Sequence, residues 1–115
     1  MTAIADTMLA PLIKRKFFFN EEDALQELLR GYILNQIAKL QQEVEKFEEK
    51  YGMRFKQFEA YLHERSALLS GNSMSAMQRQ RLGQAVMQEE DDWLDWKAAQ
   101  EMLESWLGLQ AEVLV

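Results

Sequence analysis

Apolar side chains recur at Ile33, Ile37, Leu40, Val44, Phe47 and Tyr51, in alternating steps of four and three. That seven-residue period keeps one narrow stripe on one side of a helix, and such a stripe needs a second helix to cover it. The positions between are polar or charged, among them Lys39, Gln41, Gln42, Glu43, Glu45, Lys46, Glu48 and Glu49. Upstream, Leu25, Leu28, Leu29, Tyr32 and Ile33 give a wider apolar face on the same helical spacing. Asn20 followed by Glu21, Glu22 and Asp23 is a helix start, because Asn accepts from free amides and acids favour the positive end of the helix. Phe19, before the cap, is placed to staple onto Ala24. Gly52 is a helix stop, since glycine takes the left-handed conformation without strain. One long helix over 21–51 follows, about 45 Å at 1.5 Å per residue. Gly31 inside it costs up to about 1 kcal/mol and marks a close helix contact.

The flanking segments read as shorter helices. Leu9, Leu12, Ile13 and Phe17 predict one over 8–18, with Pro11 tolerated in its first turn. Residues 1–7 carry no helical pattern, and Thr2 and Ile4 allow a short strand. Phe55, Phe58, Tyr61, Leu62, Leu68 and Leu69 predict a third helix over 54–69, and Ser70 to Ser73 a loop. Ser73 or Ser75 caps a fourth helix with Met74, Met77, Leu82 and Val86 on its face. The acids Glu89, Glu90, Asp91 and Asp92 then open a fifth helix holding Trp93, Leu94, Trp96, Met102, Leu103, Trp106 and Leu107, or lie within one continuous helix. The tail from Leu109 is apolar, and strand-like or frayed. The expected fold is all-α, with four to five helices and one long central helix. It divides into an N-terminal helical dimerisation region (1–69) and an acidic, Trp-rich partner-binding region (70–115). The length of the central helix favours a homodimer paired along Ile33, Ile37, Leu40, Val44, Phe47 and Tyr51 over an intramolecular bundle.

Charge separates the same two regions. The net charge of −6 is carried by residues 84–115, with eight acids against one Lys, whereas residues 1–83 hold 12 basic and 11 acidic side chains. An acidic end suits a basic protein surface and repels nucleic acid and anionic lipid. No cysteine is present, which excludes disulfides, thiolate chemistry and cysteine-metal sites. The single histidine, His63, excludes a multi-histidine metal site and reads as a solvated residue. Glu59, Glu64 and the 89–92 acids read as solvated or partner-facing, since consecutive acids on a helix diverge by about 100° each. Phosphate loops, nucleophile elbows and zinc spacings are absent. Neither an enzyme nor a small-molecule cofactor is expected. No apolar run approaches the roughly 18 residues of a membrane span, and no signal-peptide pattern stands at the N-terminus, so the expected location is cytoplasmic.

Two features carry recognition chemistry. Trp93, Trp96 and Trp106 sit among acids, and Trp is the residue most enriched at binding hot spots. Lys14, Arg15 and Lys16 adjoin Phe17, Phe18 and Phe19, a small basic-aromatic patch of the kind that contacts nucleic acid.

The span 12–33, with Lys14, Arg15, Phe17, Asn20, Glu21, Glu22, Ala24 and Leu28, resembles the helical half of the ribbon-helix-helix antitoxins of bacteria and archaea. The span 40–62, with Phe47, Glu48, Lys50, Tyr51, Gly52, Met53, Phe55 and Phe58, resembles small antitoxin-type proteins encoded beside toxin genes, and Asp91, Asp92 and Trp96 fit an acidic stretch found in the same proteins. In ribbon-helix-helix proteins an N-terminal strand enters the DNA major groove; here Thr2, Ile4 and Asp6 hold that position, with no Lys or Arg. The resemblance implies an antitoxin-type protein that neutralises a cognate toxin through Phe55, Phe58, Asp91, Asp92, Trp93, Trp96 and Trp106. It also implies an alternative, a transcriptional regulator contacting DNA through Lys14, Arg15 and Lys16. A coiled-coil adaptor without a toxin partner is the third reading.

Overall fold

A computed structural model describes residues 3–71 and 73–113. They form four helices: α1 (Ala3–Lys14), α2 (Glu21–Tyr51), α3 (Phe55–Leu69) and α4 (Ala76–Val113). No strand occurs among the described residues. Ile4 lies inside α1, so the short-strand expectation fails where it can be checked; Thr2 lies outside the described residues.

The ends of α2 follow the local chemistry. The Asn20 side chain accepts from the Asp23 amide at 2.8 Å, and the Asp23 carboxylate accepts from the Phe19 amide at 3.2 Å. This reciprocal pair satisfies two donors near the helix start. Phe19 itself is 94% exposed, so it does not staple onto Ala24. At the other end Gly52 takes φ 64° and its amide donates to the Glu48 carbonyl at 2.8 Å. The α1–α2 turn uses the same device with a costlier residue. Lys16 has φ 64°, while its amide donates to the Ile13 carbonyl and the Phe17 amide to the Leu12 carbonyl. This is a Schellman closure with a side chain where glycine is usual.

Helix α4 is one element of 38 residues, about 57 Å at 1.5 Å per residue. Ser75 caps it, accepting from the Gln78 amide at 3.2 Å while the Gln78 side chain accepts from the Ser75 amide at 3.0 Å. The acids at 89–92 therefore do not start a fifth helix. They sit mid-helix because Glu89 and Asp92 occupy inward positions of one buried stripe, Val86, Glu89, Asp92, Trp96, Ala99 and Leu103. The tail is helical to Val113 rather than strand-like.

The helices form an elongated rod of 73 × 23 × 23 Å. Helices α2 and α3 follow each other along it, and α4 runs antiparallel beside both. The pairings fix the register: Arg65 with Glu89, Glu59 with Trp93, Tyr51 with Asp92, Phe47 with Trp96 and Tyr32 with Trp106. Helix α1 folds back on the start of α2, where Leu9 and Ala24 are buried. The radius of gyration is 22.7 Å, against about 13 Å for a compact chain of this length.

This arrangement revises two expectations. The stripe expected to join two copies is covered by the chain's own α4, with Phe58 of α3 meeting only its last residue, Tyr51: Ile33, Ile37, Val44 and Phe47 are buried in the core, with Leu40 and Tyr51 packed against it. Antiparallel tandem packing supplies the long cover that a compact bundle could not. Gly31 makes no close helix contact, since a Cβ there meets nothing within 4 Å.

Candidate functional site

The centre of the rod is an aromatic cluster around Trp96. The indole is fully buried, with ring centroids of Phe58, Phe55, Phe47 and Tyr51 at 5.2, 5.5, 5.6 and 6.3 Å. Phe58 is also fully buried. The Trp96 Nε1 has no hydrogen-bond partner among the described residues. Trp96 and Phe58, both expected to meet a partner, are interior residues here, because the heptad-spaced stripes of α2 and α4 converge on them.

Asp92 lies beside this cluster and is likewise buried. Its Oδ2 accepts from Lys50 Nζ at 2.6 Å and from the Tyr51 hydroxyl. Burial alone raises a carboxyl pKa, but hydrogen bonds from Lys50 and Tyr51, and then the Lys50 charge, outweigh it and hold Asp92 below its ordinary value. Tyr51 moves the other way: burial first, then its bond to the Asp92 carboxylate, pushes the phenol well above its usual value. One turn earlier, Glu89 receives the Arg65 guanidinium at two points, Nε to Oε2 at 3.0 Å and Nη2 to Oε1 at 2.7 Å. These ties join α4 to both helices it covers, and Arg79 adds a third, donating to the carbonyls of Leu69 and Gly71 at the end of α3. None of these pairings was read from the sequence. The available signal was the three-residue spacing of Glu89 and Asp92 in phase with Trp96.

What remains outward from the acidic segment lies in a groove between α3 and α4. Glu59, Leu62, His63, Ser66, Glu90, Trp93 and Leu94 line it. Trp93 is half-buried, and its Nε1 donates to Glu59 Oε2 at 3.2 Å while Lys97 stands 5.0 Å over the ring. Leu94 is 57% exposed. Glu59, His63, Glu90 and the adjacent Asp91 are exposed. The groove thus has an apolar floor, an aromatic wall and acidic rims, and of the expected set it keeps Trp93, while Asp91 is exposed outside its lining. Phe55 and Trp106 are half-buried elsewhere, Phe55 edge-on to Trp96 and Trp106 edge-on to Tyr32.

Lys14, Arg15 and Lys16 are all exposed at the end of α1 and the turn after it, beside Phe17 and Phe19, which are exposed too. Among the described residues no group of three or more His, Asp or Glu side chains gathers into a metal-binding set. No described helix is long and apolar enough to cross a membrane. No protein-family model, curated protein or solved structure matches the chain.

Proposed function

We propose that the chain is a protein-binding protein of the antitoxin type, which occludes a basic toxin by holding a segment of it in the groove between α3 and α4. The observation that carries this reading is the groove itself: Trp93 and Leu94 offer apolar contact between the carboxylates of Glu59 and Glu90, within a segment whose charge is −7 from eight acids and one Lys. Burial on Trp93 and Leu94 supplies affinity at about 25 cal/mol per Å² of apolar area. The acids speed encounter and select a basic partner. Asp92, Trp96 and Phe58 serve underneath, fixing α4 against α2 and α3 so that the groove has a rigid wall. The resemblance of the 51–58 turn to antitoxin-type proteins supports the same reading. In the test, the protein encoded by the adjacent gene is co-expressed with this chain and co-purified. Wild type retains it, and a Glu90→Lys/Leu94→Lys variant of unchanged helicity binds at least tenfold more weakly. Undiminished binding by that variant rules out the groove.

A second reading is favoured by the exposure of Lys14, Arg15 and Lys16 together: contact with DNA phosphates by an antitoxin that also regulates transcription. A gel shift with the DNA upstream of the gene at low salt, where phosphate contacts are strongest, separates it. A shift that vanishes in a Lys14→Glu/Arg15→Glu variant supports this reading, and no shift ends it.

A further inference from the structure

At the end of the rod farthest from α3, helix α2 is only partly covered, by α1 at Ala24 and by Trp106 at Tyr32. All eight residues from Leu25 to Tyr32 are exposed. Four of them, Leu25, Leu28, Leu29 and Tyr32, fall at helical spacing and form one apolar stripe about 100° wide, the width by which a globular helix meets its core. They are 41%, 47%, 44% and 57% exposed. The antiparallel register brings the end of α4 beside this stretch, where Leu109 and Val113 are exposed as well.

The surface area sets the scale of what is missing. The chain exposes 8666 Å², whereas a compact monomer of 13.5 kDa exposes about 6,500 Å². The surplus, roughly 2,100 Å² per chain, is spread along the whole 73 × 23 × 23 Å rod, and it leaves room for the 800 Å² or so that each partner loses in a standard interface.

We infer that this face is a two-fold interface with a second copy of the same chain, α2 crossing α2 through Leu25, Leu28, Leu29 and Tyr32. The end is self-complementary in charge. Lys14, Arg15 and Lys16 are exposed at the end of α1 and the turn after it, and Glu22 and Glu27 of α2 and Glu112 of α4 are exposed at the same end. Two-fold pairing lets each basic turn face the other copy's acids, as an isologous contact requires. Residues 1–34 and 101–113 together carry four basic and eight acidic side chains, so an anionic bilayer is repelled rather than attracted.

Sedimentation equilibrium over a wide concentration range tests the inference on the full chain. Wild type is expected as a dimer, and Leu28→Glu/Tyr32→Glu as a monomer with unchanged helical circular dichroism. Hydrogen exchange provides a readout independent of any variant: amides of residues 25–32 gain protection as wild-type concentration rises, while those of 44–51 do not change. A wild-type chain that stays monomeric at about 100 μM overturns the inference. So does a dimer indifferent to Leu28→Glu/Tyr32→Glu, or a monomer that binds phosphatidylglycerol vesicles through this face. The groove between α3 and α4 lies away from this end, so neither result alters the toxin-binding test, and failure of that test leaves this one standing.

Discussion

Around Trp96, four aromatic rings from α2 and α3 close on one indole until none of it reaches solvent. Farther up the same α2 helix, three leucines and a tyrosine at equally good helical spacing stay exposed. The two stretches do not differ in amphipathicity. They differ in whether α4 has a stripe in phase to meet them: at the centre it offers Trp96, Ala99 and Leu103, while past Trp106 only Gln110 of the described residues is partly buried and Leu107, Leu109 and Val113 stay exposed. Among the described residues, no large hydrophobic of α2 or α3 between 35 and 67 is markedly exposed, and on α4 Met77, Met87, Leu94 and Met102 are exposed singly, whereas Met8, Phe17, Phe19, Leu25, Leu28, Leu29, Tyr32, Leu34, Leu107, Leu109 and Val113 are exposed together at one end. The middle of α2 has its stripe covered, and its far end is an apolar surface of the kind that marks an interaction site.

The largest effect that can break this comparison is a truncation at each place. Trp96→Ala removes the ring on which four aromatics converge and is expected to cost about 3–5 kcal/mol, enough to unfold a marginal domain. Leu28→Ala removes a side chain that already faces solvent, and in dilute monomer it is expected to change stability by less than about 0.5 kcal/mol. Urea denaturation of both variants measures the contrast. Equal losses at the two positions would mean that the apolar end is covered within the chain.

A smaller effect separates the charged ties from the aromatic packing. The folded-state pKa of Asp92 lies below its ordinary value of 3.8, so its contribution to stability is present above that pH and is lost as pH falls through the depressed folded value. Tyr51 is raised from 10.0, so the stability tied to its neutral phenol holds below pH 10.0 and is lost as pH climbs toward the raised value. Asp92→Asn removes the charge and one strong acceptor, and it is expected to cost about 1–3 kcal/mol near neutral pH. The acid-side fall in the urea midpoint, from about pH 4 downward, is expected to flatten in this variant. A wild-type midpoint that does not fall below pH 4 would show that Asp92 is not held in this pairing.

These residues also mark where the sequence could and could not be read. Both ends of α2 were legible because each depends on local chemistry: an Asn side chain against free amides, and a glycine at a left-handed stop. Its heptad stripe was legible as a surface in need of cover, but not what covers it. That information sits in α4, where Glu89 and Asp92 fill two stripe positions. A hydrophobicity pattern counts buried acids as surface, so one 38-residue helix could not be told from two around an acidic break. Only Arg65, Lys50 and Tyr51, distant in sequence, make those inward positions tolerable. The candidate site was half legible for the same reason. Trp93 and Trp96 are three positions apart and share a face, yet that face is the boundary between core and groove. The 60° between them leaves Trp96 inside and Trp93 at the rim.

The smallest expected effect is also the sharpest probe of how bare the apolar end is. Gly31 sits inside α2 with nothing within 4 Å of the position a Cβ takes, and its backbone is helical, so alanine fits without strain. Gly31→Ala therefore lowers the entropy of the unfolded chain and adds helix propensity while meeting no neighbour. A gain of about 0.4–1 kcal/mol is expected, read as a higher thermal midpoint. Gly31 lies to one side of the Leu25–Tyr32 stripe, about 60° round the helix from Leu28, so the same substitution is expected to leave the dimer intact. A loss of stability in dilute monomer would require an element of this chain packed against Gly31, and the end would then be a closed core. Stabilisation without a change in association keeps the open flank where it stands and confines the interface to the leucine side of α2.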